Sequence, residues 1–84
     1  MTTDEEIEAT IAELERERES LHHKEEGDRG TEELAADRRR IREIEVELDR
    51  QWDWLRRRRA ARRAGNDPDL VAARDAETVE DYLQ

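Results

Sequence analysis

Arginine is the residue type that offers this sequence its most obvious chemistry. Six arginines lie in the eight positions from Arg56 to Arg63, directly after two tryptophans, Trp52 and Trp54. Guanidinium groups bind phosphates and indole rings stack on bases, so this stretch is typical of a surface that binds nucleic acid. The whole chain is acidic, with a net charge of −9 and an isoelectric point near 4.7, and its field therefore repels a polyanion.

The distribution of charge favours an internal role for these arginines. Residues 1–33 hold 13 acids and 4 bases, residues 34–64 hold 6 acids and 11 bases, and residues 65–84 hold 6 acids and 1 base. Neighbouring segments differ in sign, as expected if they neutralise one another. We therefore expect acids to cover the arginine run, and a nucleic-acid-associated regulator stays an alternative. The expected acids are Asp4, Glu5, Glu6, Glu8, Asp67, Asp69, Asp75, Glu77, Glu80 and Asp81.

Metal binding is the second chemistry that the sequence suggests. Glu19 and His22 form a Glu-x-x-His pattern, the spacing found in di-iron carboxylate bundles. Both residues lie off the apolar face of their predicted helix, and His22 and His23 point about 100° apart, so no ligand set converges. The sequence has no cysteine, no phosphate-binding loop and no nucleophile elbow. We expect no catalysis and no cofactor, with a metal-binding helical mini-bundle as a remote alternative.

The acids that open the chain belong to a predicted helix over about residues 4–26. Thr3 followed by Glu6 forms a capping box, and negative charge suits the positive end of a helix. Apolar residues recur at spacings of four, three and seven, so they form one stripe on this helix. That stripe consists of Ile7, Ile11, Leu14 and Leu21.

The arginine run belongs to a longer predicted helix over about residues 32–64. Two glycines predict a turn over residues 27–31, Thr31 is the predicted cap of the helix, and Gly65 is its predicted end. Apolar residues of this helix recur mainly at spacings of three, four and seven, again on one face. The predicted stripe consists of Leu34, Ile41, Ile44, Leu48, Trp52 and Leu55.

A short turn makes the two helices antiparallel neighbours, so the predicted fold class is all-α, a helical hairpin. Folding the chain back near residue 28 brings Arg18 level with Asp37. There we expect either an ion pair that sets the register or two side chains that both reach solvent. A chain this short and polar buries little apolar surface alone, so we expect two hairpins to dimerise into a four-helix bundle. A helical protein partner could take the place of the second copy.

The last segment, residues 65–84, is predicted to be an acidic tail. Asp67 and Pro68 are typical of a turn that opens a helix, and a short helix is predicted over about residues 76–83. On the long helix, Trp54 lies about 200° from the main stripe, so we expect it to pack under this tail or at an interface. The residues assigned to that packing are Trp54, Val79, Tyr82 and Leu83.

The C-terminal half also carries a recognisable pattern. It contains Leu48-Asp49-x-x-Trp52-Asp53-x-Leu55-Arg56-x-Arg58-Arg59-Ala60, followed by Gly65-x-Asp67-Pro68. This pattern resembles a family of short bacterial proteins known only as a domain of unknown function, over roughly residues 41–84. The resemblance implies that the long helix and the tail form one unit. It implies no activity and no site residues.

These observations predict one helical domain over residues 1–84. The start of the chain lacks the apolar core of a signal peptide, and no apolar run is long enough to cross a membrane. We therefore expect a cytoplasmic protein without a membrane partner or a small-molecule substrate. The predicted function is protein–protein interaction through helix-to-helix contact, in the form of a homodimer or with a helical partner.

Overall fold

The structure, a computed structural model, describes residues 2–25, 30–75 and 77–79, and it is helical without strands in this part of the chain. Helix α1 spans Asp4–Glu25, helix α2 spans Thr31–Arg63, and a single 3₁₀ turn covers Pro68–Leu70. Residues 77–79 are also helical, whereas the rest of the helix predicted over 76–83 lies outside the described residues. The predicted all-α hairpin is confirmed, and both long helices begin and end within one residue of the expected positions.

The ends of the helices follow from local chemistry. At the start of α1 the Thr3 hydroxyl accepts a hydrogen bond from the Glu6 N–H at 3.2 Å, as the capping box predicts. The predicted cap of α2 is wrong by one residue. The Gly30 carbonyl already accepts the first helical bond, from the Leu34 N–H at 3.1 Å, so Thr31 is the first helical residue.

Gly65 ends α2 in the left-handed conformation, with a φ of 81°. Its N–H donates to the Arg62 carbonyl at 3.1 Å, and the next N–H, of Asn66, donates to the Ala61 carbonyl at 2.8 Å. This pair of bonds is a Schellman motif, which satisfies carbonyls at the helix end and turns the chain away. Asp67 then caps the 3₁₀ turn through the Asp69 N–H at 2.9 Å, with Pro68 in the first position as predicted.

An apolar seam joins the antiparallel helices. The chain measures 53 × 25 × 18 Å, and its radius of gyration is 15.7 Å, against about 12 Å for a compact domain of this length. The core is therefore one row of side chains between two helices. Its buried members are Ile7, Ile11, Leu21, Ile41, Ile44, Leu48 and Leu55, with Leu14 and Trp54 packed partly buried against them.

Two residues assigned to the core from the sequence lie differently. Leu34, in the first turn of α2, is only half-buried. Trp52 is 39% exposed and is not part of the seam, which corrects its assignment within the chain. The physical reason is the side from which α2 is covered. In the described part of the chain, α1 packs on the seam and the tail contacts Trp54, and neither covers the opposite flank.

The tail returns along α2 without regular secondary structure over residues 71–75. Val79, beyond it, is fully buried, whereas Tyr82 and Leu83 lie outside the described residues. Main-chain carbonyls of the tail accept hydrogen bonds from side chains of α2, so the tail is held mostly by its backbone. The bonds are Trp54 Nε1 to Val71 O at 2.8 Å, Arg57 Nη2 to Ala72 O at 2.7 Å, and Arg50 Nε to Arg74 O at 2.8 Å.

Candidate functional site

Arg58 is the residue at which α1, α2 and the tail meet. Its side chain is only 5% exposed. Nε donates to the Asp4 carboxylate at 2.7 Å, Nη1 to the Pro68 carbonyl at 2.9 Å, and Nη2 to the Asp69 carboxylate at 3.1 Å. A buried guanidinium is tolerated only when its donors are matched, and here every nitrogen has an acceptor.

Asp4 completes this network from the N-terminal end of α1. It accepts a second bond, from Arg62 Nη1 at 2.8 Å. The hydrogen bond from Arg62, and then that from Arg58, lower the pKa of Asp4 from 3.8 to about 2. The hydrogen bond to Asp4 in turn raises the pKa of Arg58. The acids of α1 and the tail thus neutralise part of the arginine run, as the alternating charges predicted.

The run is not neutralised along its whole length. Arg59 pairs with Glu8 at 2.8 Å on the surface. Arg56 and Arg63, in contrast, form no ion pair with any residue that the structure describes. Both line an open cleft of about 310 Å³ beside α2. The lining residues are Asp53, Arg56, Arg57, Ala60, Arg63 and Arg74.

Asp53 is the anchor of this cleft. Its side chain is 7% exposed and accepts a hydrogen bond from Arg57 Nε at 3.0 Å, with Arg74 Nε at 4.0 Å. The lining thus contains one carboxylate and four guanidinium groups, a net charge of +3. Reasoning from the sequence missed Asp53 and the cleft. A signal for the cleft was nevertheless present in the sequence. Arginines lie three and four positions before Ala60 and three positions after it, and these positions share one helix face.

The neighbouring flank of α2, which shares Arg56 and Arg63 with the cleft, carries the exposed Trp52. Side chains on this flank recur at spacings of four and three, the repeat of a coiled-coil seam. The N-terminal part of the flank is acidic, its centre is Trp52, and its C-terminal part is basic. Its members are Glu45, Asp49, Trp52, Arg56, Arg59 and Arg63.

The remaining predicted residues do not converge on a site. Glu19 and His22 are exposed on α1, and the described residues contain no group of three His, Asp or Glu side chains arranged to hold a metal ion. Arg18 and Asp37 are both half-buried, and the ion pair between them stays a prediction. Within the described part of the chain, neither long helix has an apolar stretch that could cross a membrane.

The fold and these surfaces define a small helical-hairpin protein whose C-terminal tail is bound by arginines of the long helix. The chain belongs to the family described as protein of unknown function (DUF2630), whose model matches residues 3–84. The resemblance to a family of short uncharacterised bacterial proteins is thereby confirmed.

Similar proteins come from mycobacteria. Uncharacterised proteins of Mycobacterium bovis and of two strains of Mycobacterium tuberculosis are each 48% identical to this chain over 46 residues. The matched stretch covers 55% of this chain and 53% of each relative, so it spans about half the length of these proteins. No solved structure matches the chain.

Proposed function

We propose that this protein is a cytoplasmic helix–helix interaction protein that pairs with a second copy of itself through the Trp52 flank of α2 and catalyses no reaction. The observation that carries the proposal is a tryptophan with 39% of its surface exposed at the centre of a coiled-coil repeat. Large aromatic side chains with charged surroundings are the usual anchors of protein interfaces. The elongated shape and the single-row core add to this argument, because one hairpin buries little apolar surface.

The charges of the flank favour a second copy as the partner. If two α2 helices lie antiparallel with a two-fold axis at Trp52, each acidic position faces a basic position of the other helix. Asp49 then lies level with Arg56 of the second copy, and Glu45 lies level with Arg59. Asp49, Glu45 and Arg56 form no ion pair with any other residue in the described ranges, so the partner would supply their first one. A parallel arrangement would instead place like charges side by side.

The energy available is modest. The exposed part of each Trp52 ring corresponds to about 100 Å², and its burial contributes about 2.5 kcal/mol per copy. Association costs roughly 4–15 kcal/mol, so the two rings together offset only the lower end of that range. The charge pairs must therefore contribute, and we expect a dimer whose population depends on concentration.

Sedimentation equilibrium over a range of protein concentrations tests the proposal. We expect wild type to form a dimer and Trp52→Glu to stay a folded monomer. Leu70, which is 83% exposed and lies in the 3₁₀ turn and not on α2, supplies the matched control, and Leu70→Glu should dimerise as wild type does. A wild-type monomer at all concentrations, or equal losses in both variants, would contradict the proposal.

A charge swap tests the antiparallel arrangement. Asp49→Arg and Arg56→Asp should each weaken the dimer, because each places like charges opposite one another. The double variant should restore it, since the two signs are then exchanged together. No recovery in the double variant would exclude this pairing.

The alternative, nucleic-acid binding by the arginine run, is weakened because four of its six arginines pair with acids of the same chain. These are Arg57, Arg58, Arg59 and Arg62. A direct comparison is retention of the protein on DNA at physiological ionic strength. Salt-dependent retention would support the alternative, and its absence would remove it.

A further inference from the structure

We propose that the cleft around Ala60 binds the phosphate group of a small molecule, held by Arg56, Arg57, Arg63 and Arg74. This site goes beyond the helix pairing proposed above. It shares Arg56 and Arg63 with the Trp52 flank, so helix pairing and phosphate binding compete for these two side chains. The argument rests on the charge of the cleft, the arrangement of its arginines and its size.

The charge of the cleft is uncompensated within the described chain. Elsewhere along the run, Arg58, Arg59 and Arg62 pair with acids at 2.7–2.8 Å. Arg56 and Arg63 have no such partner among the acids that the structure describes. Four guanidinium groups around one carboxylate repel one another, and a bound dianion relieves that repulsion.

The arginines divide into an ordered pair and an adaptable pair. Arg57 is fixed on two sides, by Asp53 at 3.0 Å and by the Ala72 carbonyl at 2.7 Å. Arg74 lies 4.0 Å from the same Asp53 oxygen. Because Asp53 is buried and accepts a hydrogen bond from Arg57, we assign it as a positioning residue for that guanidinium group. The exposed Arg56 and Arg63 also line the cleft, one turn before and one turn after Ala60.

Ala60 provides the floor of the cleft. It lies on the same helix face as Arg56, Arg57 and Arg63, and its side chain is a single methyl group, which leaves room above the helix. Guanidinium groups donate two parallel hydrogen bonds to phosphate oxygens, and several of them can share one tetrahedral anion.

Size and lining distinguish a small phosphate compound from nucleic acid. A volume of about 310 Å³ lies at the lower end of the range of small-molecule sites. Among the described residues no aromatic side chain lines the cleft, so this part of the chain offers no ring on which a base could stack. A carboxylate ligand carries one charge, which matches a lining of +3 less well than a phosphate does.

Isothermal titration calorimetry with inorganic phosphate, against chloride at equal ionic strength, tests the site. We expect saturable binding that Arg63→Gln weakens by roughly tenfold to a hundredfold, because it removes a hydrogen bond between charged groups. Arg42→Gln is the matched control. It removes the same charge from an exposed position of α2, about 21 Å from Arg56 along the helix, and should leave binding unchanged.

The remaining outcomes decide against the site. Absence of saturable phosphate binding at millimolar concentrations overturns it, as does an equal loss in both variants. Binding of a single-stranded oligonucleotide that inorganic phosphate does not displace would assign the arginines to nucleic acid. Circular dichroism checks that each variant is folded. We expect both to keep the fold, because neither Arg63 nor Arg42 has an ion-pair partner in the described residues.

Discussion

Arg58 allows a sharp test of how this thin protein is held together. The change is Arg58→Ala, which removes one buried guanidinium and the three hydrogen bonds that join α1, α2 and the tail. The adjacent Arg59→Ala is the matched control. It removes the same atoms from the same helix, but from a side chain that is 44% exposed and forms one ion pair.

The expected magnitudes differ because of burial. Removing one partner of a buried ion pair costs about 3–5 kcal/mol. Asp4 keeps its bond to Arg62, and the Asp69 carboxylate reaches water, so we expect the lower end, about 3 kcal/mol, for Arg58→Ala. An exposed pair contributes at most about 1 kcal/mol, so Arg59→Ala should cost no more than that.

Urea unfolding followed by circular dichroism measures both values. Protein concentration must be kept equal in all samples, because dimerisation would shift the midpoint. We expect the midpoint of Arg58→Ala to fall well below that of Arg59→Ala, with a similar dependence on urea. If the two variants differ by less than about 0.5 kcal/mol, water replaces the partners of Arg58 and the network does not stabilise the fold.

Three further predictions concern Asp4, the tail and the apolar seam between the helices. Folding lowers the pKa of Asp4 from 3.8 to about 2, so its contribution of up to about 2 kcal/mol is complete above about pH 5 and is lost as the pH falls through about 2. The stability difference between wild type and Asp4→Asn should shrink over that window, and parallel curves would contradict this. Trp54→Phe removes the bond to the Val71 carbonyl, so it should cost about 1 kcal/mol and speed hydrogen exchange in the tail, whereas unchanged exchange would show that the bond does not hold it. Ile44→Ala empties a fully buried position and should cost about 2–5 kcal/mol in thermal unfolding, and a loss below about 1 kcal/mol would place the core elsewhere.

Several features of the fold could be predicted because their causes are local. The spacing of Ile7, Ile11, Ile41 and Ile44 marks the faces of both helices, and hydrophobic periodicity needs no knowledge of the partner. Gly65 is recognised as a helix end because only glycine adopts positive φ without strain. The sign of each segment likewise indicated that acids would meet the arginine run, although it could not tell which arginines would stay unpaired.

The sequence by itself therefore determined the two helices, their ends, their antiparallel pairing and the attraction between them. Only the tertiary structure decided which tryptophan is covered, that Asp53 is buried, and that Arg56, Arg57, Arg63 and Arg74 surround one cleft. These outcomes depend on the side of α2 along which the tail returns. The tail is held largely through main-chain carbonyls, which every residue possesses, so the side chains indicate only part of its path.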